Sequence, residues 1–151
     1  LKTAPPPALT PERSSTLRAA VARILPGEAG PGAAATGAAQ GFENALGHPY
    51  FRGLRPGIEK ALDWLDARAA KMYGRDFAAC TSVEQDEVLR TLEQEPNPWT
   101  RFLFRSLIGF SLEGMLGDPV HGGNRDFKGW EALGLLPAEV RSGLCLGARI
   151  S

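Results

Sequence analysis

Residues 99–116 read WTRFLFRSLIGFSLEGML. Phe102, Leu103, Leu107, Phe110 and Met115 recur at the three- and four-residue steps of a helix, and Phe104, Ile108 and Leu112 fill its other sides. A strand reading fails: the apolar positions do not alternate, and the run is far longer than the roughly 4–8 residues of a buried strand. A helix that is apolar on more than one side needs more than one cover. Either it is the centre of a helical bundle, or another protein also lies on it.

Moving toward the N-terminus, Pro96 and Pro98 end the preceding helix. Thr81 or Ser82 caps that helix, with Glu84 and Gln85 each three residues later as a capping box requires. Val83, Val88, Leu89 and Leu92 mark its buried side. Between Arg55 and Tyr73 another helical pattern appears. It places Ile58, Leu62, Leu65, Ala69 and Met72 near one face with Trp64 beside them, and Gly74 is its stop. His48-Pro49 is a break, and a short helix fits the stretch 37–46. Residues 26–41, rich in Gly, Ala and Pro, give the weakest pattern. Thr10 is a helix cap with Pro11 at the first position and Glu12 in the first turn. Leu17, Ala20, Val21, Ile24 and Leu25 follow at helical spacing, and Pro26-Gly27 stops them. Residues 1–9, LKTAPPPAL, read as a flexible or polyproline-like arm. The expected architecture is all-α: one compact domain over residues 10–151, with four to six helices and a long Gly-rich loop near the C-terminus.

Composition narrows the function classes. Apolar residues make up 43% of the 151, enough for a core. Seventeen basic residues balance seventeen acidic ones, and they are interspersed. No basic stripe exists to attract nucleic acid or an anionic membrane. No apolar run reaches the roughly 18 residues of a membrane span. Cys80 and Cys145 form one bridge or stay two thiols. Their spacing is not CxxC, and two Cys with two separated His are too few for a structural zinc site.

The segment following the hydrophobic helix, residues 117–130, reads GDPVHGGNRDFKGW. Its polar residues admit several chemistries. A calcium loop starting at Asp118 would use Asn124 and Asp126, with Gly123 at the sharp turn, but Val120 and Gly129 fall where ligands belong. That leaves a metal-stabilised binding module as a weak alternative. His121 beside Asp118 or Asp126 could act as a general base in a standalone hydrolase, yet no motif places a Ser or Cys nucleophile. Glu113 is a helix-end acid satisfied by loop amides, or a catalytic carboxylate. Gly122-Gly123 is neither GxGxxG nor a Walker loop. Gly114, Gly117, Gly122 and Gly123 point to close turns or positive φ. Arg125 braces a carboxylate or is solvated. Trp130 anchors the core or an interface. The loop is built for shape more clearly than for chemistry.

The run from Glu113 to Trp130 resembles the signature of the gluconate 2-dehydrogenase subunit 3 family. The resemblance rests on Glu113-Gly114, Asp118-Pro119, Gly122-Gly123-Asn124, Asp126 and Gly129-Trp130, with Gly134 after them. Weaker likeness extends back through residues 81–93 and the helix from Trp99. There are two departures. His121 stands where the family usually has Tyr, and Gly134-Leu135-Leu136-Pro137 replaces the usual aromatic-Pro-Gly ending.

The resemblance implies a non-catalytic small subunit without a cofactor of its own. Its partner would be a large glucose–methanol–choline-type flavoprotein that holds FAD and oxidises a sugar, sugar acid or related alcohol. A cytochrome c subunit carrying haem c often completes such complexes and tethers them to the membrane. The small subunit commonly bears a twin-arginine leader and is exported folded with its partner. A chain beginning at Leu1 fits a mature periplasmic form. Under this reading Glu113, Gly114, Asp118, Pro119, His121, Gly122, Gly123, Asn124, Arg125, Asp126, Gly129 and Trp130 form an interface or structural motif.

Overall fold

A computed structural model describes residues 9–28 and 30–135. Within it the chain is all-α. Seven helices follow in order: α1 (Pro11–Ile24), α2 (Ala33–Thr36), α3 (Ala38–Gly47), α4 (Arg55–Tyr73), α5 (Ser82–Glu93), α6 (Pro98–Leu116) and α7 (Lys128–Ala132). Two of the seven are single turns, which takes the number past four to six. Gly37, at φ +67°, parts α2 from α3, and α7 lies inside the Gly-rich segment. Most of the N-terminal arm, together with Leu136, Pro137 and Cys145, lies outside the described residues.

The helix ends obey their sequence signals. Thr10 Oγ1 accepts the Arg13 N–H at 3.4 Å. Thr81 and Glu84 form a reciprocal capping box, and Gly74 ends α4 in the left-handed region. Pro98 differs from expectation: it opens α6 instead of closing α5, because a first-turn position has no N–H bond to lose. Asn97 caps that helix by accepting the Trp99 N–H at 2.8 Å.

The core gathers Leu17, Ala20 and Val21 of α1, Phe42 and Leu46 of α3, Ile58, Leu62 and Leu65 of α4, Val88 and Leu92 of α5, and Leu107 of α6. Each fully buried large aliphatic contributes roughly 1.5–3 kcal/mol. Phe42 stacks on Phe110 at 5.1 Å, and Phe51 meets the same ring edge-on at 5.0 Å. Half-buried Asp66 ties three elements together. Its carboxylate accepts the Thr16 hydroxyl at 2.9 Å and the Phe77 N–H at 3.0 Å. Arg13 joins α1 to Glu59 and Asp63 on α4, and Arg23 joins it to Asp86 on α5.

In three helices, expected apolar positions face outward. Val83 is 67% exposed. At 100° per residue it lies opposite Val88, Leu89 and Leu92, so the buried arc of α5 excludes it. Met72, in the last turn of α4, is also exposed. The third difference concerns α6. Leu103, Leu107 and Phe110 are buried, but Trp99, Phe102 and Leu112 are 56%, 42% and 42% exposed. Among the described residues the helix is covered on one side only.

Candidate functional site

The Gly-rich segment is a clasp across α3 and α6. These two helices make the broadest contact between described elements, and they approach through glycine. A Cβ on Gly41 would lie 3.0 Å from the Cα atoms of both Gly114 and Gly123. A Cβ on Gly114 would collide with the Ala38 carbonyl, and one on Gly123 with the Gly114 carbonyl. Side chains at any of these positions would force the helices and the loop apart.

After α6 the chain reverses over a short turn at Pro119–His121. Asp118 caps it by accepting the Val120 N–H at 3.0 Å. Gly122, at φ +93°, turns the backbone inward, and the Asn124 N–H bonds the Gly114 carbonyl at 3.0 Å. Asn124 is fully buried. Its Nδ2 donates to the Gly117 carbonyl at 2.9 Å, and its Oδ1 accepts the Gly129 N–H at 2.9 Å. One amide therefore closes the loop on itself at both ends. Trp130 completes the clasp, its indole N–H reaching the Leu116 carbonyl at 2.5 Å and its ring lying 5.5 Å from Phe127. It is an internal anchor.

The clasp holds unusual backbone. Asn124, Asp126 and Phe127 have φ of +45°, +54° and +59°. Asn and Asp tolerate the left-handed region, but Phe does not favour it. The side-chain bonds of Asn124 and Trp130 oppose this strain.

The other residues of the motif lie as follows. Glu113 does not bond loop amides through its side chain; its backbone carbonyl accepts the Gly117 N–H, and its carboxylate lines a cleft. Asp118 and His121 line the same cleft. Asp126 points elsewhere and lies 4.0 Å from the Lys128 ammonium, so the pairing of His121 with Asp126 is not formed. Arg125 lies across Gly37, where a Cβ would stand 2.5 Å from its Nε, and forms no ion pair among the described residues. The calcium register fails physically, since both ends of the Asn124 amide are spent inside the loop. Among the described residues no group of His, Cys, Asp and Glu is arranged to hold a metal.

The cleft has a volume of about 550 Å³. The α3 side supplies Gly41, Asn44, Ala45 and His48, and Phe51 follows from the turn after it. Asn44 fastens the two sides, its Nδ2 donating to the His121 carbonyl at 2.8 Å. Both histidines of the chain thus share one cleft with Glu113 and Asp118. The sequence marked 48–49 only as a break. Nothing in the local pattern pairs it with a loop more than seventy residues on.

Other electrostatic features are structural. The Arg23 guanidinium holds the Asp86 carboxyl below the usual range, and Arg13 does the same to Asp63. Burial pushes the Asp66 carboxyl up, against the bonds from Thr16 and Phe77. Burial also pushes the Cys80 thiol up. No helix among the described residues is long and apolar enough to cross a membrane.

A family model described as Gluconate 2-dehydrogenase subunit 3 matches residues 11–137, a span that contains all seven helices, the clasp and the cleft. No solved structure matches the chain.

Proposed function

We propose that this chain, which belongs to the gluconate 2-dehydrogenase subunit 3 family, is the non-catalytic small subunit of a periplasmic FAD-dependent sugar or alcohol dehydrogenase. It stabilises a large flavoprotein of the glucose–methanol–choline type and escorts its folding and twin-arginine export. FAD sits in that partner. A cytochrome c subunit with haem c takes the electrons and holds the complex to the membrane.

The observation that carries this reading is the apolar side of α6 that the described residues leave uncovered. Trp99 stacks on Phe102 at 5.3 Å, and both remain exposed, with Leu112 farther along the helix. Exposed large apolar groups on one helix side are the usual mark of a protein contact. The clasp supports the same reading: its motif residues fix the shape of the surface around that side.

The test is native mass spectrometry of the chain purified from its own cells, with an absorbance spectrum of the same sample. The expected result is a heavier complex with bound flavin that stays on the other chain after dissociation. A flavin-free monomer would overturn the escort role.

A further inference from the structure

The cleft between α3 and the clasp is chemically unfinished. Elsewhere in the described chain, every buried side-chain nitrogen and oxygen has a partner. The cleft instead presents groups with capacity to spare. Glu113 makes no side-chain hydrogen bond or ion pair within the described chain, and Asp118 uses only Oδ1, on the Val120 N–H. His48 uses Nδ1 to accept the Tyr50 N–H at 3.2 Å, leaving Nε2. Among the described residues no Lys or Arg lines the cleft, while Phe51, Ala45 and Val120 give it apolar walls.

The cleft also continues the apolar side of α6. Trp99, Phe102, Ser106, Gly109 and Glu113 follow one another at alternating steps of three and four residues, so they form one stripe along the helix. Gly109 has open space above it. At the end of the stripe Glu113 joins Val120, which is 78% exposed, in lining the cleft. Arg101 and Arg105 lie on the flank of the same helix, nearer its start. The surface is therefore polarised, with basic groups beside its first half and carboxylates in its terminal cleft.

We propose that this cleft receives an arginine side chain of the flavoprotein partner, while the Trp99–Phe102 end of the stripe packs against apolar residues of the same partner. The inference rests on the escort reading above. Charge complementarity selects the occupant: two carboxylates with no cation among the described residues call for a basic group. The aromatic wall favours guanidinium over ammonium, because its plane stacks on rings while its fork bonds carboxylates. A basic anchor in a desolvated pocket, flanked by aromatic contact, is the usual composition of an interface hot spot.

The test compares the wild-type chain with the double variant Glu113→Gln/Asp118→Asn, each bound to the flavoprotein. Asn at 118 keeps the oxygen that caps the turn, and neither acid is in an ion pair within the described chain, so the variant should melt like wild type. The expected result is a rise in Kd of roughly tenfold or more, with a shallower dependence on salt. An unchanged Kd and salt slope, in a complex that forms, would overturn the cleft proposal and leave the escort role intact. If the wild-type chain does not bind the flavoprotein, the escort role fails instead. The cleft is then judged alone by NMR titration of the chain with N-acetyl-arginine amide. Shifts at Glu113, His48 and His121 that vanish in the double variant would support it, and no shifts would overturn it.

Discussion

Replacing Asn124 should reveal how much the clasp rests on one amide. The side chain is fully buried and bonded at both ends, and its backbone is left-handed. Asn124→Ala removes both bonds and keeps a Cβ at positive φ. The Gly129 N–H is buried, and stranding it costs roughly 2 kcal/mol. The Gly117 carbonyl is partly exposed and reachable by water, so its loss is about 1 kcal/mol. Left-handed Ala adds about 1 kcal/mol over Asn. The sum, near 4 kcal/mol, corresponds to a fall in Tm of roughly 10 °C for a chain of this size. Asn124→Gly loses the same two bonds without the Cβ strain and should lie about 1 kcal/mol above the Ala variant. Asn124→Asp keeps the Gly129 bond but sets a carboxylate against the Gly117 carbonyl, so it should be no better than Ala at neutral pH. Urea denaturation of the three variants and wild type measures all of this. An Ala variant within about 1 kcal/mol of wild type, the cost of one exposed hydrogen bond, would refute the account of the clasp.

Gly114→Ala and Gly109→Ala lie on one helix and should have opposite effects. The first drives a methyl into the Ala38 carbonyl and should cost about 3 kcal/mol, whereas the second enters open space and should stabilise by roughly 0.5–1 kcal/mol, both read by denaturation. Asp86→Asn should cost about 1 kcal/mol at neutral pH by breaking the two-bond contact with Arg23. The folded Asp86 carboxyl is depressed, so its contribution is present above the usual carboxylate range and is lost as pH falls through the folded value; the gap from wild type should close in acid. Asp66 carries the opposite sign. Its folded carboxyl is raised, so protonation favours the fold, and wild type should gain on Asp66→Asn as pH falls through that raised value, measured by the same denaturation series.

The helical architecture was legible because its signals are local. Thr81 with Glu84, Gly74 and the spacing from Ile58 to Ala69 each depend on residues within a turn or two, and the helices lie where those signals put them. Errors arose where position depends on what lies opposite. Val83 fits the apolar composition of α5, but its angle takes it out of the buried arc. Pro98 was a stop by residue type and a start by position. The Gly-rich loop reads as built for shape, and Asn and Asp admit left-handed backbone, but the positive φ at Phe127 has no residue signature. The cleft was illegible for a different reason. It is made when Gly41, Gly114 and Gly123 let α3 and α6 come close enough to bring His48 beside His121, and no local pattern encodes that approach.

The motif that carries the family resemblance is therefore directed mostly inward, and this separates two kinds of mutational effect. Gly114, Gly122, Gly123, Asn124, Gly129 and Trp130 hold the loop on α3 and α6. Changing them should lower the stability of the isolated chain first, and recovery of a complex only as a consequence. Phe102 has the reverse profile. It is 42% exposed and packs mainly on Trp99, which is itself exposed. Phe102→Ala removes apolar area that faces solvent, so the isolated chain should lose no more than about 1 kcal/mol. If a flavoprotein covers that side of α6, the same change empties an interface contact and should weaken binding by about 2 kcal/mol, close to thirtyfold in Kd. Melting of the isolated variant and a binding titration separate the two quantities. Loss of stability without loss of binding would place Phe102 in the chain's own packing and remove the α6 side from the interface.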